Sequence, residues 1–340
     1  PATQNPRVIN YMDEIIAFVS TLVDKGFAYV SEGDVYFRVA KSNNYAKLAN
    51  KTLEDLEIGA SGRTDAETER KENPLDFALW KAAKEGEVSW DSPWGPGRPG
   101  WHIECSVMAT EILGDTIDIH GGGADLEFPH HTNEIAQSEA KTGKTFANYW
   151  MHNGFVNVDN EKMSKSLGNF VTVHDMLQTV DGQVLRFFLA TQQYRKPINF
   201  TEKAIHDAEV NLKYLKNTHS LPLTEQVNQA ELQTYLDAFQ EAMDDDFNTA
   251  NGVTVLFDMA KWINSGNYDQ TVKDAFEKML QVFGIVFEEE VLDEDIEKLI
   301  EERQAARANK DFATADRIRD ELAAQGIKLL DTKEGVRWTR

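Results

Sequence analysis

Thr116-Ile-Asp-Ile-His-Gly-Gly-Gly-Ala-Asp125, followed without a break by Leu-Glu-Phe-Pro-His-His-Thr-Asn-Glu-Ile-Ala-Gln-Ser-Glu-Ala-Lys141, decides the fold. Thr116–Ile119 is a short apolar strand candidate, the three glycines read as a turn, and His130 to Lys141 keeps a helical spacing. Strand, glycine turn and helix make an α/β unit. A glycine run after such a strand lets a ligand approach the backbone where open α/β sheets bind nucleotides, although an ordinary glycine-rich turn has the same composition.

Upstream, Met12, Ile15, Ile16, Val19, Leu22 and Val23 recur at helical spacing between Tyr11 and Lys25, and Gly26 ends the pattern. Phe27–Ser31 and Val35–Val39 are aromatic and β-branched and flank Glu32-Gly33-Asp34, which predicts a hairpin. Residues 41–72 turn polar and read as a solvated loop. Four of the seven tryptophans gather between Trp80 and Trp101 around a Pro/Gly-rich segment, and rings of that size need packing partners, so the segment is expected to be ordered.

Downstream, Phe155–Val158 is a strand candidate, and Lys162-Met-Ser-Lys-Ser166 with Gly168 is a basic loop suited to following a polyphosphate. From Val173 to about Glu290 the spacing is helical, including Asp175–Leu189, Glu202–Asn217, Gln229–Met243 and Asn248–Asn264. An acidic linker starting at Phe287 leads into a tail with its own charge balance. Residues 296–340 hold 10 Lys+Arg against 9 Asp+Glu, a net +1 that leaves −23 for the rest of the chain.

A chain of 340 residues exceeds what one core ordinarily organises, so several domains are expected. With 41% hydrophobic and 27% charged residues it can bury cores, and no window approaches the roughly 20 uninterrupted apolar residues of a membrane span, which excludes a membrane protein. The single cysteine, Cys105, allows no internal disulfide, and the N-terminal residues lack the apolar core of a signal peptide, so a cytoplasmic protein is expected. A net charge of −22 argues against a chain coated in nucleic acid, and no DNA partner is expected. The near-neutral tail is the one region compatible with RNA.

Cys105, His130 and Glu134 are the residues with metal chemistry. His130 and Glu134, four apart, share one helix face, and a Cys/His/Glu trio offers three of the four ligands zinc prefers. A lone cysteine is also an ordinary buried hydrophobe. His131 competes for the ligand role but is expected to point away from Glu134.

Three stretches taken in order resemble bacterial cysteinyl-tRNA synthetases, a class I aminoacyl-tRNA synthetase family. They are Gly100-Trp-His-Ile-Glu-Cys-Ser106, Asp118 through Gln137, and Glu161-Lys-Met-Ser-Lys-Ser-Leu-Gly-Asn169. Asp244-Asp-Asp-Phe-Asn-Thr-Ala250, Lys310 through Arg319 and Gly326 through Thr332 continue the resemblance to the end of the chain. It implies an α/β plus all-α fold: the second half of a class I Rossmann-type catalytic domain with a connective insertion, then a helical bundle and a small anticodon-binding module. The expected division is 1–97 for the insertion and flanking catalytic segments, 98–150 for the Rossmann half and 151–205 for the signature-loop region. The bundle takes 206–290 and the C-terminal module 296–340.

The resemblance further implies ATP-dependent activation of L-cysteine, with Mg²⁺ on the phosphates, and transfer to the cysteine tRNA. Cys105, His130 and Glu134 match zinc ligands, and zinc takes a soft thiolate far more readily than a hydroxyl, so no editing domain is needed. Trp101 matches the aromatic residue beside the bound cysteine. Gly123 and Asp125 fall where ATP is held, and Lys162 and Lys165 match the signature loop, with Lys165 also assigned to ATP. Arg317, Arg319, Arg337 and Trp338 offer planes on which anticodon bases stack.

Family members begin with a strand bearing a fourth zinc-ligand cysteine and a His-Ile-Gly-His-type motif, and neither occurs in these 340 residues. The chain is therefore expected to be N-terminally truncated, to start inside the insertion, and to be inactive alone. Two other readings remain: an ATP-dependent ligase joining cysteine to an amino-sugar, for which the helical half and terminal module are superfluous, and a non-catalytic tRNA-binding descendant, for which the zinc ligands are. Deleting residues 296–340 is expected to weaken binding of the cysteine tRNA in a direct titration; unchanged affinity would put the RNA contact elsewhere.

Overall fold

The computed structural model describes residues 2–42, 44–52, 68–164, 168–225, 227–287, 294–332 and 335–339. The first helix, α1 (Met12–Asp24), buries Met12, Ile15, Val19 and Leu22 of the stripe its spacing predicted, together with Phe18, while Ile16 and Val23 are only partly buried. It packs beside an antiparallel sheet of order β1 (Ala28–Ser31), β2 (Asp34–Phe37), β3 (Phe77–Ala82) and β4 (Gly97–Pro99). Ser31 pairs with Asp34 across a two-residue turn, and both turn residues are left-handed, Glu32 at φ 50° and Gly33 at φ 87°. That geometry matches the twist of the strands it joins. The tryptophan-rich segment is ordered because Trp80 is fully buried with Trp94 against it, ring centroids 6.0 Å apart. The polar stretch 53–67 lies outside the described residues.

The α/β unit follows: α2 (Trp101–Leu113), β5 (Ile117–Gly123), a wound segment Glu127–His131, α3 (Thr132–Thr142) and β6 (Ala147–Asn153). The glycine run is not a turn. β5 continues through Gly121, Gly122 and Gly123, paired in parallel with Met151, His152 and Asn153 of β6. A Cβ on Gly122 would lie 2.8 Å from the His131 ring, so the glycines make room above the strand rather than a bend in it. α2, which carries Cys105, has no clean apolar stripe, since buried Ile103 and Val107 alternate with Ser106 and Thr110. Its spacing therefore went unread.

A second small sheet, order β8 (Glu161–Lys162), β7 (Val156–Val158), β9 (Ile198–Phe200), precedes the helical half. The single helix expected over Asp175–Leu189 is two, α4 (Val173–Met176) and α5 (Gly182–Ala190). The break arises because the Asp181 carboxylate accepts from the backbone N–H groups of Gln183 and Val184 at 2.8 and 3.2 Å, an N-cap that starts a new helix. α6 (Glu202–His219), α7 (Gln229–Asp244), α8 (Thr249–Asn264) and α9 (Gln270–Val282) then close around Leu215, Leu256, Met259, Val272 and Phe276. Each such side chain contributes roughly 1.5–3 kcal/mol through burial. The terminal module is α10 (Glu294–Ala308), α11 (Phe312–Ala324) and a hairpin of β10 (Lys328–Thr332) with β11 (Gly335–Thr339), built on Ile296, Ile318, Leu322 and Ile327.

Candidate active site

The structure brings Cys105, His130 and Glu134 together: one ligand atom from each lies within 4.8 Å of the others. Cys105 comes from the second turn of α2 and Glu134 from the first turn of α3, while His130 is the last residue but one of the wound segment just before it. Glu134 has no exposed surface. Its Oε2 is 2.7 Å from His120 Nε2, a residue of β5. Its Oε1 lies 3.2 Å from His130 Nε2, yet it is buried without a hydrogen-bond partner. An orphaned carboxylate oxygen facing a thiol and an imidazole is a donor set suited to a soft divalent cation.

The surrounding groups are arranged for the same end. His130 Nδ1 is 2.8 Å from His102 Nδ1, which fixes the ring and leaves Nε2 toward Glu134. Burial works against ionisation of Glu134, but the neighbouring His120 and His130 overcome it and bring its pKa to about 2. Burial, with Glu134 and Glu104 nearby, pushes the Cys105 thiol up to about 12. A cation between them would reverse that, since a coordinated thiol is deprotonated.

His131 does not turn away. Three residues on a helix is a turn of about 300°, leaving His131 and Glu134 only about 60° apart. His120, His131 and Glu134 form a second convergent group within 4.8 Å, and His131 Nδ1 lies 2.7 Å from His152 Nε2 of β6. Trp101 is 60% exposed and stacks on His130 with ring centroids 4.6 Å apart, which forms an open aromatic wall beside the trio. Asp125 folds back over Gly123, where a Cβ would meet its Oδ1 at 2.5 Å. Lys162 is exposed, with Nζ 3.9 Å from the centre of the Phe155 ring, whereas Lys165 lies outside the described residues.

In the terminal module the expected RNA residues lie on α11 and β11. Arg317 pairs with Glu321 at 3.4 Å and Arg319 with Asp316 at 3.0 Å, all on α11. Trp338 is half-buried against the module core; Arg337 is in β11, its side chain outside the described set. Sequence reasoning missed His102, His120 and Tyr45, whose hydroxyl donates to the side-chain oxygen of Asn133, between His130 and Glu134 in the chain. His120 and His102 each adjoin a residue already singled out. Tyr45 stood in the polar loop, where no pattern marked it.

Residues 1–210 match the family described as tRNA synthetases class I (C) catalytic domain, 238–288 the DALR domain, and 289–338 the cysteinyl-tRNA ligase anticodon binding domain. The chain belongs to the cysteinyl-tRNA synthetases. Cysteine–tRNA ligase of Streptococcus thermophilus is 96% identical over the whole chain, which covers 76% of that relative; those of Streptococcus agalactiae and Streptococcus pyogenes are 82% and 83% identical over the same span. A Mycobacterium tuberculosis methionyl-tRNA synthetase in complex with methionyl-adenylate shares the fold at TM-score 0.55 and 15% identity, covering 83% of this chain and 72% of that one. No helix among the described residues of the synthetase is long and apolar enough to cross a membrane.

Acid sensitivity follows from the buried imidazoles. Burial lowers the pKa of both His102 and His131 from 6.5 to about 4, so the unfolded chain binds their protons first. Stability they contribute is complete above about pH 6.5 and lost as pH falls toward 4, by up to about 1.4 kcal/mol per pH unit for each group. In metal-free protein the urea midpoint is expected to fall across that window, and to fall less in His102→Gln. Equal slopes for the two proteins would contradict this origin.

Proposed function

We propose that this synthetase activates L-cysteine with ATP to cysteinyl-adenylate and transfers it to the cysteine tRNA. The observation that carries the reading is the convergence of a thiol, an imidazole and a partnerless buried carboxylate oxygen. Cys105, His130 and Glu134 would hold zinc, with a position left for substrate. Zinc there supplies a soft Lewis acid that prefers a thiolate to a hydroxyl, which separates cysteine from serine.

The chain's own residues do the rest. Glu134, kept ionised by His120 and His130, balances cationic charge from a fully buried position. Trp101 gives the substrate an apolar wall. Gly123 and Asp125 offer backbone and a carboxylate to the adenosine, and Lys162 and Lys165 bring positive charge to the Mg²⁺-bound phosphates as pyrophosphate leaves. The bundle and terminal module would bind the tRNA, with Arg317, Arg319, Arg337 and Trp338 as the surface for anticodon bases. The presence of both modules favours a tRNA over an amino-sugar as acceptor, and retention of the Cys/His/Glu trio favours a catalyst over a pure RNA binder.

Cysteine-dependent ATP–pyrophosphate exchange tests this, on a chain extended to its relatives' full length. Exchange with cysteine but not serine, reduced about 10²-fold or more by Lys165→Ala, is expected. Equal exchange with serine, or none, would count against the reading.

A further inference from the structure

The turn between α7 and α8, Asp244-Asp-Asp-Phe-Asn-Thr249, is used by neither the metal centre nor the proposed RNA surface, yet it makes a multi-pronged exposed polar contact with residues 192–195. Its backbone is left-handed at two successive non-glycine residues, Asp246 at φ 53° and Phe247 at φ 51°. Non-glycine residues adopt this conformation only at a cost. Arg195 Nε donates to Asp246 Oδ2 at 2.6 Å and Arg195 Nη2 to Oδ1 at 3.2 Å, while the Tyr194 hydroxyl donates to Oδ1 at 2.8 Å. Three residues further on, the Thr249 hydroxyl donates to the Gln192 carbonyl at 2.8 Å.

Residues 192–195 are in turn bound to the sheet that carries the lysine loop. The Tyr194 carbonyl accepts from Gly154 N–H at 2.7 Å, and a Cβ on Gly154 would strike the Lys196 backbone at 2.4 Å. β9, which follows directly, pairs in parallel with β7 and receives its first bond at 2.8 Å, from Ile198 N–H to the Phe155 carbonyl. Asn199 of β9 holds the turn between β7 and β8, accepting from Asn160 N–H at 2.8 Å and donating to its side-chain oxygen at 2.9 Å. Lys162 ends β8, and the Ser164 N–H beyond it is held by Asn169 Oδ1 at 2.9 Å.

We propose that Asp246 is a positioning residue for the β7–β8 hairpin that bears Lys162: through Arg195 and Tyr194, and beside the packing of Ile198 and Phe200 on the bundle core, it helps set where β9, and therefore that hairpin, sits relative to the helical half. This rests on the proposed function for its catalytic consequence but not for its structural one. A lone exposed ion pair is worth little, but a two-pronged arginine contact shared with a tyrosine hydroxyl is geometrically specific.

Two measurements test it, with Arg195→Gln as a second variant that removes the same contact from the other side. Hydrogen exchange on the 340-residue chain reads the structural link. Asp246→Asn is expected to speed exchange roughly threefold to tenfold at the Ile198 and Met163 amides while leaving the bundle core amides near Phe276 unchanged. In pyrophosphate exchange by the chain at its relatives' full length, the same variant is expected to lower kcat by a similar factor with KM for cysteine unchanged. Exchange that rises equally in the bundle core, or nowhere, overturns the proposal, as does a variant that raises KM for cysteine at unchanged kcat. A wild-type enzyme silent with cysteine would instead count against the proposed function, and the hydrogen-exchange result would still decide the role of Asp246.

Discussion

Glu134 is fully buried, ionised, and satisfied on only one of its two oxygens. Much of the catalytic half can be understood as what it takes to hold a carboxylate in that condition. A buried charge is costly unless it is paired, and one partner must come from outside its own helix to fix its direction. His120 supplies that partner from β5, which requires the strand to run beneath the start of α3. The strand can do so only with a glycine at 122, where the His131 ring fills the space of a side chain. The free oxygen then faces Cys105, delivered by a helix packed on the other side: Gln137 of α3 donates to the His102 carbonyl at 2.6 Å and to the Ser106 hydroxyl at 2.7 Å, clamping α2 to α3 on either side of the thiol.

The insertion before α2 is tied into the same arrangement. Its two buried carboxylates are satisfied internally, with Asp76 accepting from Tyr29, Val39 and Asn73, and Asp34 from Tyr36 and Ala82. Tyr45 stacks on Phe77 at 6.5 Å and reaches Asn133 with its hydroxyl. A segment that looks peripheral in sequence thus contacts α3 one residue before Glu134.

Legibility in the sequence tracked periodicity. α1 and the bundle helices were readable because their apolar residues repeat every three or four positions, and the first hairpin because its turn chemistry is local. Cys105, His130 and Glu134 could be grouped because two share a helix face and all three fall in stretches resembling one family. α2 escaped because Ser106 and Thr110 occupy buried positions, satisfied within the helix or across to α3. The break at Asp181 escaped because a capping carboxylate inside a helical pattern looks like any surface acid. The glycine run was misread because three glycines signal a turn unless one knows what lies above them. His102 and Tyr45 act through contacts 28 and 88 residues distant along the chain, which no local pattern encodes.

The central claim is that the Cys105, His130 and Glu134 donors make a metal site that recognises the substrate's sulfur. Optical absorption of the cobalt(II)-loaded protein tests it most directly, because thiolate bound to cobalt gives a charge-transfer band that a hydroxyl does not. The account predicts a band at a single site that disappears in Cys105→Ser, weakens in Glu134→Gln, and grows in the wild type when L-cysteine but not L-serine is added. A wild-type protein with no such band, or one whose spectrum responds to cysteine and serine alike, would contradict it.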